Sequence, residues 1–363
     1  MHEQVSAALD QQDYRRAAKL LKQWRQESPK DPWMMVCVGR LQEETNRLEA
    51  AEATYRKVLQ GANNAKVMAQ ARQGLQRLEQ QAESSRQQAL AAAKAEPGSD
   101  QTGLLLLVPV KGEDRKAAAQ GLAKVMKIDP YAAQLKIPGK AWRLYRVGPI
   151  GELEFYGQSL RQANTPAFWV KLADINTAQI FRVCYFRSVT PQVTVVCQNQ
   201  ADQLGEISFD WSEVSQRVTG LLPIFEQVVD RGAWGKLERK ERTQDYAQML
   251  DLHLQSRQCI LRLCDRTYQF QQVDPFNEEP LSKTPGLKNT TRINWNNLLN
   301  QINQRVACPI WSDFNAFAEG ALEYIDLLHN FNPHINLFRS EPSNWDPAFH
   351  LYSGLIFLQR QQD

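Results

Sequence analysis

Asp13-Tyr14-Arg15-Arg16-Ala17-Ala18-Lys19-Leu20-Leu21-Lys22-Gln23-Trp24 and Arg47-Leu48-Glu49-Ala50-Ala51-Glu52-Ala53-Thr54-Tyr55-Arg56-Lys57-Val58 are one pattern written twice. Tyr14 falls on Leu48, Ala17 on Ala51, Leu21 on Tyr55 and Trp24 on Val58, a constant offset of 34. A fixed period of that size marks stacked helix–turn–helix units. Ala17 and Ala51 stand where antiparallel helices must approach closely, and the larger apolar residues follow at i+4 and i+7 on the same face. Between the copies, Pro29 stops one helix, Asp31 is placed to cap the next, and Pro32 fits its first turn.

Working outward, residues 1–95 read as helix throughout. A third unit starts at Ala65 and runs into one long helix, whose apolar stripe (Val67, Ala71, Leu75, Leu78) thins after Leu78. Gln80 to Lys94 is expected as a solvated helix or spacer. Residues 96–103, Glu-Pro-Gly-Ser-Asp-Gln-Thr-Gly, read as a linker.

Gly39, Ala51 and Tyr55, with Ala17, Leu21 and Pro29 one unit earlier, resemble the motif of the tetratricopeptide repeat family. Val5, Met35 and Asn63 depart from it, standing where a small glycine, a tryptophan and a closing proline are common. The resemblance covers about the first quarter of the chain. It implies a peptide-binding scaffold whose concave face draws on Trp33, Val36, Arg40, Glu43, Glu44, Gln70 and Arg77. The other outcome is that two and a half units only support their neighbours, since about three repeats make an independent array. The glutamine- and tryptophan-rich texture is similar to that of tetratricopeptide proteins of cyanobacteria, with no motif to carry the likeness.

Residues 104–173 run strand, helix, short helix, strand, helix, strand, expected as a two-layer α/β sandwich with helices on one face of three strands. In topology alone that order resembles the small fold of the ribosomal-stalk carboxy-terminal domain and the adaptor ClpS, which implies at most a second docking module. From Thr177 the texture becomes β-branched and aromatic. Gln179–Phe186 pairs with Gln192–Cys197, and Met249–Leu254 with Cys259–Cys264. Gly205–Trp211 is a further strand, and Leu221–Val229 another, with Pro223 marking an edge or bend. Helices follow over Asn294–Val306 and Trp311–Asn330, and the apolar run Trp345–Leu358 is expected to dock on the sheet. The fold class is therefore multidomain α+β, with helical repeats over 1–95, a small α/β domain over 104–173, and an antiparallel β domain with C-terminal helices over 177–363.

With 43 basic and 40 acidic residues among 363, the formal charge is +3. Bulk charge thus argues against nucleic-acid binding, though not against a local patch. The patch to weigh is Asp230–Arg242, where Arg231, Trp234, Lys236, Arg239, Lys240 and Arg242 could grip phosphates and stack on a base, while Glu238 and Glu241 offset the cations. Asp245, Asp251, His253 and Asp265 are the carboxylate and imidazole set a metal-dependent hydrolase would use, against a bland reading as surface charge on a half-exposed strand. No phosphate-binding glycine loop or nucleophile elbow occurs. No CxxC pair or zinc-spaced cysteine–histidine cluster occurs either, so the six cysteines read as reduced core thiols. No run of some 18 apolar residues could span a bilayer. The expectation is a cytoplasmic, non-enzymatic adaptor or assembly factor without cofactor or metal. The repeats would hold a segment of a partner protein, with a nucleic-acid-binding regulator as the alternative and a hydrolase third.

Overall fold

The computed structural model describes residues 1–61, 63–231, 237–272, 275–276, 290–339 and 341–359, with backbone only for 227–231 and 237–241. The chain divides into two compact units, Met1–Ala93 and Lys94–Asp363.

The first unit is helical: α1 (His2–Asp10), α2 (Tyr14–Glu27), α3 (Pro32–Glu44), α4 (Leu48–Gly61) and the start of α5 (Ala65–Ala95). Its punctuation follows the sequence. The Asp13 carboxylate accepts from Arg16 N, and that of Asp31 from Trp33 N with Pro32 in the first turn. The core forms two successive clusters. Val5, Leu9, Ala17, Leu21, Trp24, Met34 and Cys37 fill the first; Val36, Ala51, Tyr55, Val58, Val67, Ala71 and Leu78 fill the second. The duplicated positions thus do the same work one repeat apart. Beyond Leu78 the 31-residue α5 carries mostly exposed side chains.

Tyr55 is the joint of the second cluster. Its ring lies between two glycines on different helices: a Cβ on Gly39 of α3 would come within 2.6 Å of it, and one on Gly74 of α5 within 2.5 Å. Glycine to alanine inside a helix ordinarily stabilises by about 1 kcal/mol. Gly74→Ala should do the reverse and destabilise the unit by roughly 1–3 kcal/mol, the cost of overpacking. Hydrogen exchange of α4 and α5 amides in the full chain measures it, and faster exchange is expected.

The second unit contains β1 (Thr102–Leu107), α6 (Asp114–Met126), α7 (Pro130–Lys136), β2 (Arg143–Pro149), α8 (Ile150–Gln162), β3 (Ala167–Lys171) and α9 (Leu172–Ile175). There follow β4 (Gln179–Ser188), β5 (Val193–Gln198), β6 (Leu204–Phe209), β7 (Gln216–Arg231), β8 (Leu237–Leu254) and β9 (Cys259–Cys264). The last elements are α10 (Thr291–Arg305), β10 (Ile310–Trp311), α11 (Phe314–Ala321), α12 (Ile325–Leu328) and α13 (Trp345–Gln359). Strands β2-β1-β3 form an antiparallel sheet. A second, mixed sheet has the order β10-β7-β8-β9-β4-β5-β6, with β10 parallel to β7 and β9 parallel to β4.

Three expectations are corrected here. The small sheet is covered on both faces rather than one. Leu105 and Leu107 pack under α6, α7 and α8, whereas Leu104, Leu106, Leu144 and Phe168 belong to a core shared with α11, α13 and the large sheet. The helix expected over Trp311–Asn330 is broken. Trp311 is taken into β10 beside Val218, and between α11 and α12 Tyr324 turns to donate its hydroxyl to Tyr145 O, 2.9 Å away. Lastly, the basic patch over Asp230–Arg242 is strand at both ends, since β7 and β8 pair from Gln216↔His253 to Arg231↔Leu237 with one register shift between Ile224 and Phe225.

Helix α13 docks on the large sheet as expected, and it is the centre of the unit. Every residue from Ala348 to Leu358 is buried, as an all-round apolar helix requires. Helix α10 covers the opposite face of the large sheet through Trp295, Leu298 and Ile302.

Candidate functional site

The first helices of successive repeats lie side by side, and three cross-helix contacts define their common face. His2 of α1 packs edge-on against Trp33 of α3, with ring centres 4.6 Å apart. The Arg40 guanidinium of α3 meets Asp10 of α1 at 2.6 Å. Glu43 of α3 takes two hydrogen bonds from Arg77 of α5, at 2.7 and 2.8 Å, and a third at 2.8 Å from the Tyr55 hydroxyl. Glu43 and Arg77 occupy equivalent positions one 34-residue period apart. Burial would raise the Glu43 carboxyl, but the bonds from Arg77 and Tyr55 outweigh it and hold it below the usual carboxylate range. The Arg77 side chain stays 47% exposed while Glu43 is only 14% exposed, so the pair fixes Arg77 without hiding it.

The expected face residues divide accordingly. Trp33, Arg40 and Glu43 are half-buried, and Glu44, Gln70 and Arg77 are exposed. Val36 is a correction: it lies in the second core cluster and offers almost no surface. Arg40 and Arg77 are each already paired, so a partner's carboxylate would have to share or displace Asp10 or Glu43. Sequence reasoning missed His2, Asp10 and Gly74. The pairing of Glu43 with Arg77 was open to it, because both had been placed on the face and are one period apart.

For the basic segment, Trp234 and Lys236 lie outside the described residues. Arg231, Arg239 and Lys240 lie on the strands of the β7–β8 hairpin, where only the backbone is described, and Arg242 is exposed on β8.

The carboxylate set separates. Asp245 is exposed and paired with Arg266. Asp265 is buried, and its carboxylate accepts from Gln248 N at 3.0 Å. Burial raises it, against the help of that bond and of Arg266. Asp251 and His253 share a face, as their spacing implied, but that face is fully buried under α13 rather than half-exposed. Arg262, directly opposite Asp251 on β9, donates Nε to Oδ1 at 2.9 Å and Nη2 to Oδ2 at 2.6 Å. Its Nη1 donates to Pro333 O, and Phe349 lies over the guanidinium. Ser353 Oγ of α13 donates to Asp251 Oδ2 at 2.6 Å, so the 3.0 Å contact from His253 Nε2 to Ser353 Oγ is a donation by the histidine. Serine, histidine and aspartate are thus together, but in the order of a structural clamp: the serine proton goes to the aspartate, and no solvent reaches the hydroxyl. Among the described residues no three His, Cys, Asp or Glu side chains are grouped to hold a metal ion. Five of the six cysteines are buried, the sixth is half-buried, and no disulfide joins them.

Residues 8–72 match the family model described as tetratricopeptide repeat, and this amino-terminal segment is a tetratricopeptide repeat structure. No curated protein and no solved structure matches the chain significantly. No helix among the described residues is long and apolar enough to cross a membrane.

Proposed function

We propose that this chain is a non-enzymatic adaptor or assembly factor that holds a segment of another protein against the α1–α3–α5 face. Tetratricopeptide repeats generally mediate protein–protein interaction, and the match over residues 8–72 carries the proposal. The face adds a chemical expectation. Trp33 supplies apolar area, Gln70 supplies side-chain amide donors and acceptors, and Arg40 and Arg77 keep exposed guanidinium surface while anchored by Asp10 and Glu43. Anchored cations lose little rotamer freedom on binding, which favours carboxylates on the bound segment. The cytoplasm is the proposed compartment, consistent with six unbridged cysteines.

A photo-crosslinking amino acid at exposed Gln70 in the full chain tests this, with exposed Lys57 on the back of α4 as the control position. Partner crosslinks are expected from position 70 and not from position 57. Equal yields from both, or crosslinks from 57 alone, would show that the repeats bind by another surface or only support the fold.

A further inference from the structure

We propose that helix α7 is a second docking surface, built for an acidic amphipathic segment of a partner protein. The proposal goes beyond the repeat face and stands or falls separately from it.

Tyr131 is 71% exposed and Leu135 62% exposed, far more than large apolar side chains that serve a core. They are one helical turn apart, so they form one patch on one face. The fold does not need them there: α7 is anchored by Ala133 and by Ile137 just beyond its end, both buried in the core under the small sheet. The carboxylate at its start is committed, since Asp129 caps the helix by accepting from Tyr131 N and Ala132 N at 2.9 and 3.2 Å.

The other end of α7 is ringed by cations. Arg115 Nη2 donates to Ile137 O at 2.9 Å and Arg143 Nη1 to Leu135 O at 3.2 Å. Lys136 Nζ sits 5.8 Å from the centre of the Tyr145 ring, and Lys140 is exposed in the turn that follows. Each guanidinium is held by a backbone carbonyl, which fixes its position and leaves other N–H groups to donate. Such carbonyl bonds do not neutralise the charge. Exposed apolar side chains beside fixed positive charge select an occupant of matching pattern, with leucine- or phenylalanine-like side chains flanked by carboxylates. The small apolar area makes the contact a transient one.

The probe is a fluorescein-labelled 14-residue synthetic peptide with leucines at helical i, i+3, i+4 and i+7 spacing and glutamates elsewhere. A control peptide replaces the leucines by serine. Anisotropy with the full chain should give saturable binding with Kd on the order of 10–100 μM. The control peptide should bind at least about tenfold more weakly, and the double variant Tyr131→Ser/Leu135→Ser should lose about tenfold. Lys136→Glu/Lys140→Glu should weaken binding and reduce its salt dependence, because less net attraction to the acidic peptide is left to screen. Three results would overturn the proposal. The serine control could bind as tightly as the leucine peptide. The Tyr131→Ser/Leu135→Ser variant, with unchanged circular dichroism, could keep its affinity within about twofold. Or the unmodified chain could sediment as a dimer that this variant abolishes, which would make a second copy the occupant.

Discussion

Asp251→Ala should destabilise the Lys94–Asp363 unit by about 3–5 kcal/mol, the cost of leaving one partner of a buried ion pair uncompensated. Arg262 is 1% exposed and Asp251 not at all, and the two are held by a bidentate bond across the β8–β9 ladder. With the carboxylate gone, the guanidinium retains only Pro333 O and the face of Phe349, while Ser353 loses its acceptor. Removing both charges is a different experiment. Asp251→Leu/Arg262→Met leaves no orphaned ion, and replacing such pairs by apolar residues of similar volume is often neutral or stabilising. The double variant should therefore be more stable than Asp251→Ala by several kcal/mol, a non-additivity that a mutant cycle reads directly. Hydrogen exchange of β8, β9 and α13 amides is the suitable measurement, because a chain of two units need not unfold in one step. A cost below about 1 kcal/mol for Asp251→Ala would mean that water reaches Arg262 and that the clamp is not closed.

The contrast between the two variants also bears on what the clamp is for. It ties the buried helix α13 to β8 through Ser353, which bonds both Asp251 and His253 of that strand, and to β9 through Arg262, whose guanidinium lies against Phe349. An apolar helix on an apolar sheet can slide or rotate at little cost, because dispersion and burial are non-directional. Four polar groups whose mutual bonds form in one arrangement only would fix its rotation. The prediction separates these roles, since a double variant that is stable but has lost the slow exchange of α13 would have kept its burial and lost its register.

The repeats were legible because a repeat writes its packing twice. Ala17 and Ala51, Leu21 and Tyr55, and Trp24 and Val58 are all buried one period apart. The pairing of β4 with β5 and of β8 with β9 was legible from alternation and intervening turns. What failed was the count of buried faces. Four consecutive leucines, Leu104–Leu107, and an unbroken buried run in α13 both say that each face of the element is covered. The sequence carried that signal; which element supplies the cover is a long-range fact that local periodicity does not hold. The Asp251–Arg262 pair shows the same gap at the scale of a site. Matching Leu254 with Cys259 places Asp251 opposite Arg262 by counting alone, yet no local pattern reveals that α13 will bury them. The basic hairpin failed for another reason. Arg231 and residues 237–242 are polar, but strand pairing between β7 and β8 overrides their local propensity.

Acid should loosen this same unit well above the pH at which carboxylates are protonated. Burial drives His253 down to about 4, with Asp251 opposing and Arg262 reinforcing the shift. Burial, then the charges of Arg262 and His334, drive His350 down to about 3. His334 is lowered as well, first by burial. In the unfolded chain these imidazoles titrate near 6.5. Between about pH 6.5 and 4 the unfolded state therefore binds protons that the folded state refuses. Stability is fully present above that range and falls as pH falls, by about 1.4 kcal/mol per pH unit for each histidine. His253 and His350 together amount to about 6 kcal/mol by pH 4. Asp265 works in the opposite direction because its folded value is raised, but it acts nearer the carboxylate range and is a single group. Guanidinium midpoints at pH 7.5, 6.0, 5.0 and 4.5 should decline throughout, with exchange of α13 amides accelerating in parallel. His350 bonds Asn176 through Nε2, at 3.3 Å, its Nδ1 has no partner among the described residues, and its ring packs beside Phe331, so His350→Phe is the variant that removes titration with least disturbance. It should flatten the decline by about half while leaving the midpoint at pH 7.5 within about 1 kcal/mol, the cost of an aromatic exchange of similar size. A decline that keeps its full slope in His350→Phe would place the acid sensitivity elsewhere, and the buried histidine of α13 would not be its source.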